Sequence, residues 1–154
     1  MLICYDRVTG GGCGTENRND AKHCQKCGMS LRYALELHDS GTDIGSYRIV
    51  NVIGSGGFGA VYEAVHTSTA QHVALKQTFD PRNIRTFQSE FVVLHNLKNH
   101  HLPRYYETFE AHGNGYLVIE LIPGQSLGEV LGNQQHRPLV EAQVMGYAIQ
   151  MCDV

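Results

Sequence analysis

Ile53-Gly54-Ser55-Gly56-Gly57-Phe58-Gly59-Ala60-Val61 is the stretch that decides how this 154-residue chain reads. Three glycines stand at G-x-G-x-x-G spacing, and β-branched Val61 lies two places after the last. Two unrelated nucleotide folds share that spacing, so the glycines alone do not choose between them. The residues after the glycines do. A dinucleotide-binding loop opens a helix. Here Val61-Tyr62-Glu63-Ala64-Val65 is a short β-branched and aromatic run, closed by the polar His66-Thr67-Ser68-Thr69. That pattern predicts a strand. A glycine loop joining two strands is either an ordinary hairpin or a flap whose backbone N–H groups approach phosphates because no Cβ intervenes.

Composition bounds the rest. The length fits one domain or two small ones. A net charge of −3 argues against a general nucleic-acid binder, and no stretch reaches the ~20 apolar residues of a membrane span. Met1-Leu2-Ile3-Cys4-Tyr5-Asp6 is too short and polar for a signal peptide, so the expected compartment is the cytoplasm, where thiols stay reduced. Four of the five cysteines, Cys4, Cys13, Cys24 and Cys27, fall within the first 27 residues, while Cys152 stands apart. Cys24-Gln25-Lys26-Cys27-Gly28 is a C-x-x-C knuckle, and four thiolates make a closed tetrahedral site of the structural zinc type. The alternative is a disordered, Cys-bearing tail. Residues 1–31 resemble the short zinc-ribbon modules at the N-termini of many bacterial multidomain proteins. The likeness rests on Cys13-Gly14-Thr15-Glu16-Asn17, on Ala21-Lys22-His23-Cys24 running to Cys27-Gly28, and on Leu31. Eight residues separate Cys4 from Cys13, where that family usually has two, which leaves His23 as a substitute for Cys4. Residues 32–46 read as a linker; Leu31 to Leu37 admits a short helical turn, and Asp39-Ser40-Gly41-Thr42-Asp43 is turn chemistry.

Tyr47 to Ile53 reads as a strand with Tyr47, Ile49 and Ile53 on one face and Asn51 interrupting it. His72-Val73-Ala74-Leu75-Lys76-Gln77 is another strand. Val73-Ala74-Leu75-Lys76, with the lysine 17 residues after Gly59, resembles the Val-Ala-Ile-Lys strand of protein kinases. In residues 83–98, Ile84, Phe87, Phe91, Leu94 and Leu97 recur at spacings of three and four, the mark of an amphipathic helix. Glu90 falls on that apolar face. A carboxylate there is costly unless it reaches water or pairs with a cation. The kinase resemblance implies the pair Lys76–Glu90, with the lysine holding the nucleotide's α- and β-phosphates. Arg104 to Glu110 and Tyr116 to Glu120 are strands joined by the turn His112-Gly113-Asn114-Gly115.

The resemblance, to Hanks-type bacterial serine/threonine protein kinases, runs from Tyr47 to Val154. It implies an α+β fold: a kinase-like small lobe with an antiparallel five-stranded sheet and one αC-type helix, after the zinc ribbon and before an incomplete helical C-lobe. Residues 47–122 would be the N-lobe with its hinge, and 123–154 the start of the C-lobe. Gly54, Ser55, Gly56, Gly57, Phe58 and Gly59 would cover the phosphates of ATP. Ile53, Val61 and Ala74 would sandwich the adenine. Ile119 would be the gatekeeper, and Glu120 and Ile122 would offer main-chain groups to the adenine edge. Ser126 would either face the ribose or cap a short helix at 127–131. Asn99-His100-His101-Leu102-Pro103 is similar to the kinase loop after the helix read in residues 83–98, and Pro138 would open a last helix with Val140, Val144, Tyr147, Ala148 and Met151 as its stripe.

The 154 residues contain neither His-Arg-Asp nor Asp-Phe-Gly. The catalytic-loop aspartate and the Mg2+ ligands of the family are therefore not among them. The expectation is a fragment of a kinase that transfers the ATP γ-phosphate to protein Ser/Thr hydroxyls, inactive alone. The alternative is a non-catalytic zinc-ribbon plus nucleotide-binding lobe that serves as an interaction or scaffold protein. Expected partners are ATP and, in a complete kinase, a protein substrate. A dinucleotide-dependent oxidoreductase fails on the strand after the glycines and on the lack of βαβ alternation.

Overall fold

The computed structural model describes residues 1–6, 8–9, 11–56, 59–79, 84–133 and 138–152. In chain order the elements are β1 (Leu2–Ile3), β2 (Glu16–Asn17), β3 (Leu35–Glu36), β4 (Asp43–Ile44), β5 (Tyr47–Gly56), β6 (Gly59–His66), β7 (His72–Thr78), α1 (Ile84–His95), β8 (Tyr105–Ala111), β9 (Asn114–Glu120), α2 (Leu127–Asn133) and α3 (Glu141–Cys152). Met1–Asn96 and Arg104–Leu121 form one compact unit, and Leu97–Pro103 with Ile122–Val154 form a second.

An antiparallel six-stranded sheet, ordered β4-β5-β6-β7-β9-β8, is the frame of the first unit. It has one strand more than the five expected. The addition is β4, which folds back on β5 through Gly45, whose φ of 58° lies in the left-handed region. β8 and β9 are joined at His112-Gly113, both with positive φ (50° and 74°), the geometry of a tight hairpin turn.

Register sorts the side chains onto two faces. Val52, Tyr62, Leu75 and Val118 are successive cross-strand partners and share one face; Val61, Lys76, Leu117 and Thr108 share the other. β5 does not keep the face expected of it. Irregularities between Ile49 and Asn51 and between Val52 and Gly54 reset the alternation. Tyr47, Ile49 and Val52 therefore pack inward while Ile53 is 52% exposed.

The first face is covered by the beginning of the chain. Ile3, Leu35 and Leu37 share one core with Tyr62, Leu75, Tyr116 and Val118, all 3% exposed or less. The stretch read as a linker thus supplies β3, β4 and three core side chains, Leu35, Leu37 and Ile44; no helical turn spans Leu31 to Leu37. Polar groups in this layer are paired. Tyr62 Oη donates to Gln77 Oε1 at 2.8 Å, and His38 Nε2 lies 2.9 Å from Tyr116 Oη. Aromatic rings continue the layer, with Tyr47 stacked on Phe109 and Phe109 on Tyr116 at centroid distances of 5.9 and 5.2 Å. The opposite face receives α1, which buries Phe87.

In the second unit, α2 opens with a capping box: Glu129 N–H donates to Ser126 Oγ at 3.2 Å, and Ser126 N–H donates to Glu129 Oε2 at 2.6 Å. α3 begins at Glu141, three residues later than Pro138, with the Val140 carbonyl accepting from Gln143 and Val144. None of its described residues is buried; Val140, Val144 and Met151 are exposed, and Tyr147 and Ala148 half-exposed.

Candidate active site

The face opposite the N-terminal cover carries the expected phosphate-binding side chains. β5 and β6 pair out to Gly56 and Gly59. Gly59 is required by packing, since a Cβ there would stand 2.0 Å from the Gln77 carbonyl oxygen. Gly54 and Gly56 are different. Among the described residues a Cβ at either would meet no atom within 4 Å, and neither adopts a left-handed φ. Gly57 and Phe58 lie outside the described residues.

Beneath the loop is a cleft of about 640 Å³ lined by Gly54, Ser55, Gly56, Gly59, Ala60, Val61, Lys76, Gln77, Thr78, Thr86 and Phe87. Lys76, on β7, meets Glu90, on α1: Nζ donates to Oε1 at 3.5 Å. The pair is partly exposed, with the side chains 39% and 30% accessible. Such an ion pair adds at most about 1 kcal/mol to stability, so its effect is to aim the ammonium rather than to hold the fold. Phe87 gives the lysine a second constraint: Nζ sits 5.1 Å from the ring centroid, within cation–π range. Burial, helped by the nearby Glu90 charge, pushes the Tyr105 phenol pKa up.

Ala74 and Ile119 are cross-strand partners on the same face as Lys76 but do not line this cleft. Glu120 N–H, and not the carbonyl expected to face the adenine, donates to the Arg104 carbonyl at 2.8 Å. Ile122 belongs to the second unit and is 61% exposed. The Ser126 hydroxyl is engaged twice in the α2 cap, accepting from Glu129 N–H and donating to Glu129 Oε2 at 2.8 Å. Five lining residues were not expected from the sequence: Ala60, Gln77, Thr78, Thr86 and Phe87. Phe87 was legible only as part of the α1 stripe, and Thr86 gave no signal.

A second site lies in the first 31 residues. The Sγ atoms of Cys4, Cys13, Cys24 and Cys27 are all within 4.8 Å of one another, with Cys4–Cys27 and Cys13–Cys24 each at 3.5 Å. Zinc–sulfur bonds of ~2.3 Å in a tetrahedron place sulfurs about 3.8 Å apart, so the spacing fits one ion. The wide Cys4-to-Cys13 interval is accommodated by a hairpin: Cys4 N–H donates to Thr15 O at 2.9 Å, and Asp6 bridges Gly11. Gly12 permits its return, as a Cβ there would stand 2.1 Å from the Cys4 carbonyl oxygen. His23 is exposed, its backbone is bridged to Ser30, and it is not in the cluster.

The donors suit a divalent cation electrostatically. Backbone N–H groups of the knuckle, Cys27 foremost, pull the Cys24 thiol down to about 6, and the Thr15 hydroxyl pulls Cys13 down. Burial pushes Cys4 up to about 12, so a thiolate at that position needs a cation beside it. All five cysteines are free of disulfides.

Residues 47–154 match the family model described as the protein kinase domain. The chain belongs to the protein kinase family. Relatives of this kinase chain are serine/threonine kinases. Human Nek10 is 31% identical over 124 residues, which cover 71% of this chain and 11% of that protein. Pkn1 of Myxococcus xanthus is 28% identical over 166 residues, covering 94% of this chain and 23% of its own. The crystal structure of the Mycobacterium tuberculosis PknI kinase domain superposes with a TM-score of 0.64 at 21% identity, over 75% of this kinase chain and 48% of that domain. The PpkA-294 apo form gives 0.59 at 20% identity, over 64% and 43%. This kinase chain therefore spans between about a tenth and a quarter of the curated relatives, and about half of the solved domains. Among the described residues no helix is long and apolar enough to cross a membrane.

Proposed function

We propose that this chain is the ATP-binding part of a serine/threonine protein kinase, and that these 154 residues bind nucleotide without transferring phosphate by themselves. The observation that carries the reading is the pair Gly54 and Gly56 above Lys76–Glu90. Neither backbone conformation nor packing against the described residues demands glycine at those two positions. Close approach of a ligand to the backbone does. Lys76, aimed by Glu90 and Phe87, would hold the α- and β-phosphates under that strand end, and Val61, Ala74 and Ile119 would form the apolar wall for the base. Ile53, Glu120, Ile122 and Ser126 complete the proposed nucleotide set. The γ-phosphoryl would go to a protein Ser or Thr hydroxyl only where a catalytic-loop aspartate and Mg2+ ligands are also present. Residues 1–31 would hold structural Zn2+ through Cys4, Cys13, Cys24 and Cys27, in a reducing compartment such as the cytoplasm. Residues 32–46 join this part to the lobe, 47–122 are the N-lobe with its hinge, and 123–154 the start of the C-lobe.

Titration of the purified chain with a fluorescent ATP analogue and Mg2+ tests the proposal. Saturable binding is expected, weakened about 10-fold or more by Lys76→Met with an unchanged melting curve. No binding by the wild-type chain would leave the interaction-module reading in its place. Phosphoryl transfer by the wild-type chain that Lys76→Met abolishes would overturn the claim of inactivity.

A further inference from the structure

The glycine strand end has a tether outside the kinase sheet. Ser55 Oγ donates to Glu16 Oε1 at 2.5 Å. Glu16 lies on β2, within the four-cysteine unit, and 39 residues separate the two in sequence. We infer that Glu16 is a positioning residue for the glycine strand end Gly54–Gly56, holding it in register for nucleotide through the Ser55 hydroxyl.

Ser55 lies between Gly54 and Gly56 at the last rungs of the β5–β6 ladder, where it pairs with Ala60 and where a Cβ on either glycine would meet no described atom within 4 Å. Glycines lose the most conformational freedom on ordering, so a ladder end flanked by two of them is the costliest part of the strand to hold in place for a ligand. A hydrogen bond to an already rigid partner removes part of that cost beforehand. Glu16 is such a partner. β2 pairs with β1, and the Glu16 carbonyl accepts from Gln25 Nε2 at 3.0 Å. Its neighbour Asn17, 4% exposed, points the other way, as alternation along a strand requires. Asn17 Nδ2 donates to Cys24 Sγ at 3.8 Å, and Asn17 Oδ1 accepts the Gln25 N–H at 3.0 Å. A two-residue strand thus faces the sulfur cluster with one side chain and the glycine strand end with the next. The bond also consumes the Ser55 hydroxyl proton, so Ser55 acts through its backbone and not as a side-chain donor to the ligand.

The inference rests on the nucleotide-binding reading, and its test separates the two. Hydrogen exchange of the full chain without nucleotide comes first. Amides of 54–56 and 60–62 are expected to exchange faster in Glu16→Ala and in Ser55→Ala than in wild type, with Glu16→Gln close to wild type. Titration with the ATP analogue comes second. Each alanine variant is expected to bind about 3- to 10-fold more weakly, the double variant no more weakly than either single one, and Glu16→Gln within about 2-fold of wild type. Ser55→Ala leaves the cysteine unit untouched, so a loss shared with Glu16→Ala is not a loss of metal. Unchanged exchange and affinity in Glu16→Ala, or additive losses in the double variant, would overturn the tether. If the wild-type chain binds no nucleotide, the proposed function falls, and the exchange data alone decide whether Glu16 holds the strand end.

Discussion

Glycine does two different jobs within six residues of this chain. Gly59 sits against β7, where a methyl group would collide with the Gln77 carbonyl. At Gly54 and Gly56 a methyl group would meet none of the described residues. Gly59→Ala should therefore destabilise the fold by about 1–3 kcal/mol, while Gly54→Ala and Gly56→Ala should change stability by no more than about 0.5 kcal/mol and still weaken nucleotide binding. Thermal melts beside analogue titrations check this, and equal melting losses at all three positions would remove the distinction. A second residue-scale expectation concerns His38, half-buried beside the rings of Tyr62 and Tyr116. Desolvation, helped by nearby His112 and opposed by Glu36 and Asp39, holds its pKa below 6.5. The unfolded chain takes up the proton near 6.5, before the folded one does. Stability from the neutral ring is present above that pH and is lost as pH falls through the folded value. The urea midpoint should drop between pH 7.5 and 5.5, and His38→Gln should reduce that drop.

At the scale of elements, what could be read from sequence depended on whether the signal was local. β7 and α1 were legible. The run from Val73 to Lys76 has strand composition, and the 3.6-residue period of α1 puts Glu90 inward, so the approach of Lys76 and Glu90 emerged from two short patterns. The turn at His112-Gly113 was equally local. The faces of β5 were not legible, because irregularities after Ile49 and Val52 shift the alternation and leave no mark in residue type. Cys4 was ambiguous for a similar reason. Its place in the cluster depends on the backbone bonds that join Asp6 to Gly11 and Cys4 to Thr15, and on Gly12 fitting against Cys4. β3 was hidden by turn-forming neighbours, since Leu35 and Leu37 acquire a role only against a sheet formed by residues far along the chain. Ser55–Glu16 had no sequence signal at all.

For the molecule as a whole, the four-cysteine unit has a small core of its own, Cys4, Cys24 and Leu31, and reaches the interior of the sheet through Ile3. Ile3 leads from β1 directly into the core that holds Leu75 and Tyr116, and the next residue, Cys4, is a sulfur of the cluster. Binding a structural metal should thus stabilise more than its own loop. Chelation, or Cys24→Ala with Cys27→Ala, is expected to lower stability by at least about 2 kcal/mol, roughly 4–8 °C in melting temperature, and to increase binding of an apolar dye as Tyr62 and Val118 lose their cover. Metal analysis should give one ion per chain before treatment. A melting curve indifferent to chelation in a metal-loaded sample would disconnect the cluster from the sheet.

The first 37 residues also limit how this protein can be recombined. The family match begins at Tyr47, but Leu35, Leu37 and Ile3 already belong to the same interior as the sheet behind it. A genetic exchange with its breakpoint at Tyr47 would join one lineage's cover to another lineage's sheet. Unless residues such as Tyr62, Gln77 and Tyr116 travelled with Leu37 and His38, the hybrid would inherit a lid cut for a different box.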